Sequence, residues 1–162
     1  MVLNRQREVE INLPAVRRFV RRLRARLPFE ARDFNVGFVT EREMVRLNAA
    51  HRARPQPTDV LSFGWAEEQA PAPRGPGAEF SGFLGDIVIS ARAAERNARA
   101  EGHSTATEVR WLILHGVLHL LGYDHEADHG EMTRLELSLR EELGIAGRKK
   151  KPKIRRHKIK NE

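Results

Sequence analysis

Thr105-Ala-Thr-Glu-Val-Arg-Trp-Leu-Ile-Leu-His-Gly-Val-Leu-His-Leu-Leu-Gly-Tyr-Asp-His125 decides how the chain is read. Val109, Trp111, Leu112, Ile113, Leu114, Val117, Leu118, Leu120 and Leu121 surround the axis almost completely. A helix apolar nearly all round has no solvent face and belongs in a core. The pattern predicts a helix over 106–121, opened by a capping box of Thr105 with Glu108. His115 and His119 are nearly its only polar side chains. Four residues apart, they project from one face at adjacent turns. A buried imidazole is costly unless something satisfies it. Gly122 lets the chain leave the helix, and the short turn beyond can bring His125 back toward the first two.

A single histidine in such a helix is more often a hydrogen-bonded core residue than a ligand. The set of three changes that. Three neutral imidazoles converging on one point form a Zn²⁺ site of the catalytic kind, with one position left open for water. His129 reads as a surface residue, with an approach to the metal as the alternative. His51, His103 and His157 have no partner pattern. The spacing equals that of the extended zinc-protease motif, His-Glu-x-x-His-x-x-Gly-x-x-His, save that Gly116 stands where a protease carries its general base. Glycine cannot move a proton, so the geometry is that of a metalloprotease while the chemistry must differ.

Outward from this helix, the segment 1–11 suggests an edge strand through Val9 and Ile11. Val16, Phe19, Val20, Leu23 and Leu27 form a helical stripe from Pro14, with Asn12 as cap and Pro28 as stop. Its other face carries Arg17, Arg18, Arg21, Arg22, Arg24 and Arg26. Solvated arginine is the simplest reading of that face, an RNA-phosphate or membrane surface the alternative. Phe34, Val36 and Phe38 mark a strand. Thr40 with Glu43 opens a helix that ends before Pro55, and 58–63 and 84–90 are further strands, the last apolar enough to be central. The stretch 64–83 is broken by prolines and glycines and suits a flap, hairpin or insertion. Helices follow over 91–101 and from Asp128 and Glu131 to Gly144. The expected fold is α+β, a small mixed sheet of about four strands with about five helices, the zincin-like metal helix in the core.

Lys plus Arg is 29 against 22 Asp plus Glu, for a net charge of +7. Residues 148–162 hold nine of the basic residues and one acidic one, so the body 1–147 has 20 basic and 21 acidic. The high pI belongs to the tail, which excludes a uniformly basic nucleic-acid coat. One metal-dependent hydrolase domain over 1–147 and a disordered basic tail over 148–162 are expected. With no cysteine, disulfides, zinc ribbons and thiol nucleophiles are excluded. No stretch resembles a signal peptide or a membrane span, so the reading is soluble and cytoplasmic, with no membrane partner.

His115-Gly-Val-Leu-His-Leu-Leu-Gly-Tyr-Asp-His125 resembles the most characteristic stretch of the YbeY family, bacterial rRNA maturation factors that are single-strand-specific metallo-endoribonucleases. Leu47-Asn48 with Arg52, Pro57-Thr-Asp-Val-Leu-Ser-Phe63, Leu84-Gly-Asp-Ile-Val-Ile-Ser90, Gly102-His-Ser104 with Glu108, and Met132 with Glu136 match further blocks. Gly64 stands where a proline is usual, Asn97 where a glutamine is usual, and 64–83 is longer than in many relatives. The resemblance implies that His115, His119 and His125 hold one Zn²⁺ and that Arg52 is a cleft arginine needed for activity. It implies action on single-stranded rRNA or pre-ribosomal particles, at the 16S rRNA 3′ end and in ribosome quality control. A ribosomal protein or ribosome-associated GTPase is an expected partner. Asp59 and Asp86 suit strand-end anchoring, with orientation of a ligand imidazole as the alternative. Asp124 suits a turn bond, and Tyr123 either packing or a bond to substrate. A metal-dependent peptidase or small-molecule hydrolase, and a non-enzymatic assembly factor with a structural metal, are the competing functions.

Overall fold

The computed structural model describes residues 1–27, 33–52, 57–64, 83–124 and 128–145, at Arg52 the backbone alone. Four strands, β1 (Val2–Asn4), β2 (Asp33–Val39), β3 (Val60–Gly64) and β4 (Phe83–Ser90), form one sheet in the order β1-β2-β4-β3. The first three in that order run parallel, and β3 lies antiparallel on β4. Five helices are described: α1 (Leu13–Arg24), α2 (Glu41–Arg52), α3 (Ala91–Glu101), α4 (Thr105–Leu120) and α5 (Glu131–Glu142). The fold is therefore α+β with a mixed sheet. The expected domain boundary at 147 and the tail 148–162 lie outside the described residues.

Alternation along β2 separates two layers. Phe34, Val36 and Phe38 are almost fully buried and join Ile87 and Ile89 of β4 beneath α1, α4 and α5 in the main core. On the opposite side Val39, Leu61, Phe63 and Val88 meet Met44 and Leu47 of α2 in a smaller core. The helix read as buried is buried. Ile113, Leu114, Val117 and Leu118 of α4 are fully enclosed, each worth roughly 1.5–3 kcal/mol of transfer free energy.

Several boundaries differ from the expectation, for identifiable reasons. The edge strand is Val2–Asn4 rather than a strand through Val9 and Ile11. There the buried Gln6 side chain accepts from the backbone N–H groups of Glu8 and Val9 at 2.8 and 2.9 Å, and donates to the Val9 carbonyl at 2.8 Å. Those groups are satisfied by a turn and have none to offer a ladder. Asn12 caps α1 as expected, accepting from the Ala15 N–H at 3.0 Å. The helix stops at Arg24, short of Leu27, and Arg24 reaches to Asp33 and the Phe34 carbonyl at the start of β2. At α4 the cap is Ser104, not Thr105. Its hydroxyl accepts from the Thr107 N–H at 3.1 Å, while Glu108 turns away to bind His103 at 2.6 Å. Before α5, Asp128 accepts from the N–H groups of Gly130 and Met132 at 2.7 and 2.8 Å, and Glu131 accepts from His129 rather than closing a box.

At Gly85, a strand position, geometry demands glycine. Its φ is +141°, and a β-carbon there would stand 2.0 Å from the Phe63 carbonyl oxygen on β3. The pairing of β4 with β2 slips at this point, Asp33 opposite Phe83 and Phe34 opposite Gly85, which is the signature of a bulge.

Candidate metal centre

His115 and His119 leave α4 at adjacent turns, and their Nε2 atoms stand 3.0 Å apart with ring centroids at 4.6 Å. Two imidazole nitrogens that close either share a proton or face a common cation. Nitrogens bound to one tetrahedral zinc at ~2.0–2.1 Å would be about 3.3 Å apart, so the pair is already near a ligand spacing. Both rings are half-buried. Among the described residues no three His, Asp or Glu side chains gather closely enough to hold an ion. His125, the third expected ligand, lies outside the described residues.

The other nitrogen of His115 has its own partner. Nδ1 stands 3.5 Å from the Glu136 Oε1 of α5, and that carboxylate also receives Arg140 at 3.0 Å. Burial pushes the Glu136 carboxyl up, but the bond to His115 and the charge of Arg140 outweigh it and hold the group below its ordinary value. An ionised carboxylate beside Nδ1 favours the tautomer with its proton there. The Nε2 lone pair of His115 is then aimed at His119 and the space beyond, and the residues present fit a zinc ligand set.

Gly116 shows why the protease glutamate is missing. A β-carbon at this position would meet the Ile87 Cγ2 at 2.9 Å and the Ser62 Oγ at 3.1 Å. The position faces the sheet rather than the histidine face, and Ser62 donates to the Gly116 carbonyl at 3.1 Å. Any side chain there presses on Ile87 and Ser62, so glycine is the residue that packs without displacing them.

The family model described as Endoribonuclease YbeY matches residues 1–144. This chain belongs to the YbeY family. It is 39% identical over 141 residues to the Endoribonuclease YbeY of Solibacter usitatus, covering 87% of this chain and 86% of that one. It is 43% identical over 98 residues to that of a Picosynechococcus strain, a match spanning 59% of the relative's length and 60% of this chain. A solution structure of a Thermotoga maritima protein superposes with a TM-score of 0.58 at 26% identity, covering 88% of this chain and 89% of that one.

Within this YbeY-family fold the remaining candidates are dispersed. Arg52 ends α2, on the side of the sheet away from α4, and its side chain lies outside the described residues. The preceding His51 ring meets Phe63 edge-on at 4.7 Å, so the end of α2 reaches β3, whose Ser62 bonds the histidine helix. Asp59 accepts from Asn97 at 3.0 Å, which gives the unusual Asn97 a structural role beside β3. Asp86 accepts from Asn35 at 2.8 Å across neighbouring strands. Both bonds are of the anchoring kind. His129 and Asp124 are exposed and Tyr123 is half-buried against the main core. The stretch 65–82 lies outside the described residues. Glu136 is the residue whose task sequence reasoning misses. It matches a family block, but its meeting with His115 depends on how α5 crosses α4.

Proposed function

We propose that this chain is a zinc-dependent endoribonuclease that cuts single-stranded rRNA during ribosome maturation, at the 16S rRNA 3′ end, and in ribosome quality control. The carrying observation is the convergence of the His115 and His119 Nε2 atoms at 3.0 Å, in a chain matched from residue 1 to 144 by the YbeY family model. His115, His119 and His125 hold one Zn²⁺. Bound there, the ion supplies Lewis acidity, lowering the pKa of a water and polarising a phosphate oxygen.

The chain's own residues supply the rest. Arg52 pairs with the scissile phosphate in a two-pronged geometry and offsets the charge that grows during attack. Its helix supports this by ending against β3, the strand that also touches Gly116. Gly116 also weighs against a peptidase, since it carries no base and faces Ile87 and Ser62 of the sheet. The chain acts in the cytoplasm on pre-ribosomal particles, alone or with a ribosomal protein or ribosome-associated GTPase. No described helix is long and apolar enough to cross a membrane.

The test incubates zinc-loaded protein with pre-ribosomal particles, naked rRNA and a peptide library, and maps the ends produced. Discrete cuts in single-stranded rRNA with intact peptides are expected. Peptide cleavage without RNA cleavage would assign a different hydrolase. Particle binding that survives loss of the ligands, with no cut in any substrate, would make the protein an assembly factor.

A further inference from the structure

Two pairs of residues one helical turn apart interlock where α4 meets α5. Trp111 and His115 lie four apart on α4, and Glu136 and Arg140 lie four apart on α5. The helices pair them in reverse order. The Arg140 guanidinium lies 4.1 Å from the Trp111 ring centroid, and Glu136 lies 3.5 Å from His115. Arg140 and Glu136 are themselves joined at 3.0 Å. Both are largely shielded, their side chains 25% and 14% exposed. The charge pair is therefore built into the helix interface and not displayed on its surface.

That placement asks for a purpose. A shielded ion pair is often no more stabilising than apolar packing of the same volume. Its position is specific. Arg140 rests on a flat aromatic platform, a favourable site for guanidinium, and so fixes where Glu136 can point. Glu136 in turn faces the one nitrogen of His115 that does not face His119. A carboxylate on the far nitrogen of an imidazole sets its tautomer, holds its ring plane and raises the basicity of the near nitrogen.

We infer that Glu136, steadied by Arg140 over the Trp111 ring, is a positioning residue that presents the His115 Nε2 to the metal. This rests on the zinc reading of the site and adds to it a residue that does not touch the ion. Replacing Glu136 loosens the ligand, over and above what the unpaired Arg140 costs the helix interface.

The experiment has two readouts, zinc affinity by competition with a chromogenic chelator and the ring ¹⁵N shifts of His115 in zinc-free protein. Glu136→Ala and Glu136→Gln are compared with the unaltered full chain, their folding checked by melting. The unaltered protein should bind one zinc and carry the His115 proton on Nδ1. Glu136→Ala should bind zinc about 10–100-fold more weakly and move the tautomer population toward Nε2–H. Glu136→Gln, which keeps an acceptor oxygen but no charge, should fall between, and it decides the matter if the alanine variant does not fold. Affinity within twofold of the unaltered protein in both variants would overturn the inference. So would a His115 ring protonated on Nε2 at the outset. If the unaltered protein binds no zinc, the metal reading fails separately, and the tautomer still judges Glu136.

Discussion

Gly116 lies so close to Ile87 that a β-carbon on it would stand 2.9 Å from the Ile87 Cγ2. The close approach joins the histidine helix to the central strand β4 and explains a departure from the protease motif by packing. Gly116→Ala gains about 0.8–1 kcal/mol of helix propensity but overpacks the interface at about 1–3 kcal/mol. The steric cost wins, for a net loss on the order of 1 kcal/mol. Thermal melting should show a fall of about 2–4 °C. A raised Tm would mean that the helix and sheet do not meet this closely.

Glu108 and His103 form a second buried pair, each side chain 8% exposed, at 2.6 Å. They lie behind Trp111, whose ring is 4.7 Å from the His103 ring. Glu108→Ala strands the imidazole without its acceptor and should cost about 1.5–3 kcal/mol, read from urea unfolding. A loss under about 0.5 kcal/mol would show that the pair is not closed in solution.

Arg52 is expected to act on substrate and not on the metal. Arg52→Ala should keep one zinc per chain and cut single-stranded rRNA fragments at least tenfold more slowly, the loss of a charged bond to phosphate being worth about 1.5–3 kcal/mol. Normal cutting by this variant would remove the arginine from the mechanism.

The basic segment 148–162 carries nine Lys and Arg against one Glu, which suits a sequence-blind tether to RNA. Deleting it should weaken RNA binding and flatten its salt dependence by about 0.7 in log–log slope for each phosphate the segment had neutralised, with zinc content unchanged. The same slope before and after deletion would exclude the tether.

How far the sequence can be read follows from what each feature depends on. The core face of α1, the alternation of β2 and the buried α4 are local periodicities, and the structure places all three as the pattern implies. Caps depend on which of several neighbouring polar residues turns inward. Ser104 displaces Thr105 because Glu108 is taken by His103. The edge strand lies away from Val9 because Gln6 satisfies the backbone groups there. At the site, the i, i+4 spacing of His115 and His119 is legible because it lies on one helix. The approach of Glu136 is not, because 21 residues and a change of helix separate it from His115, and only packing fixes which turn of α5 meets which turn of α4.

Zinc held by the α4 histidines should be inseparable from RNA cleavage. Zinc per chain is counted by elemental analysis in the unaltered protein and in His119→Ala, each sample assayed on a single-stranded rRNA fragment. One zinc and cleavage are expected in the unaltered protein, and loss of both together in the variant. Cleavage at the unaltered rate by a zinc-free His119→Ala protein would remove these histidines and their metal from the reaction.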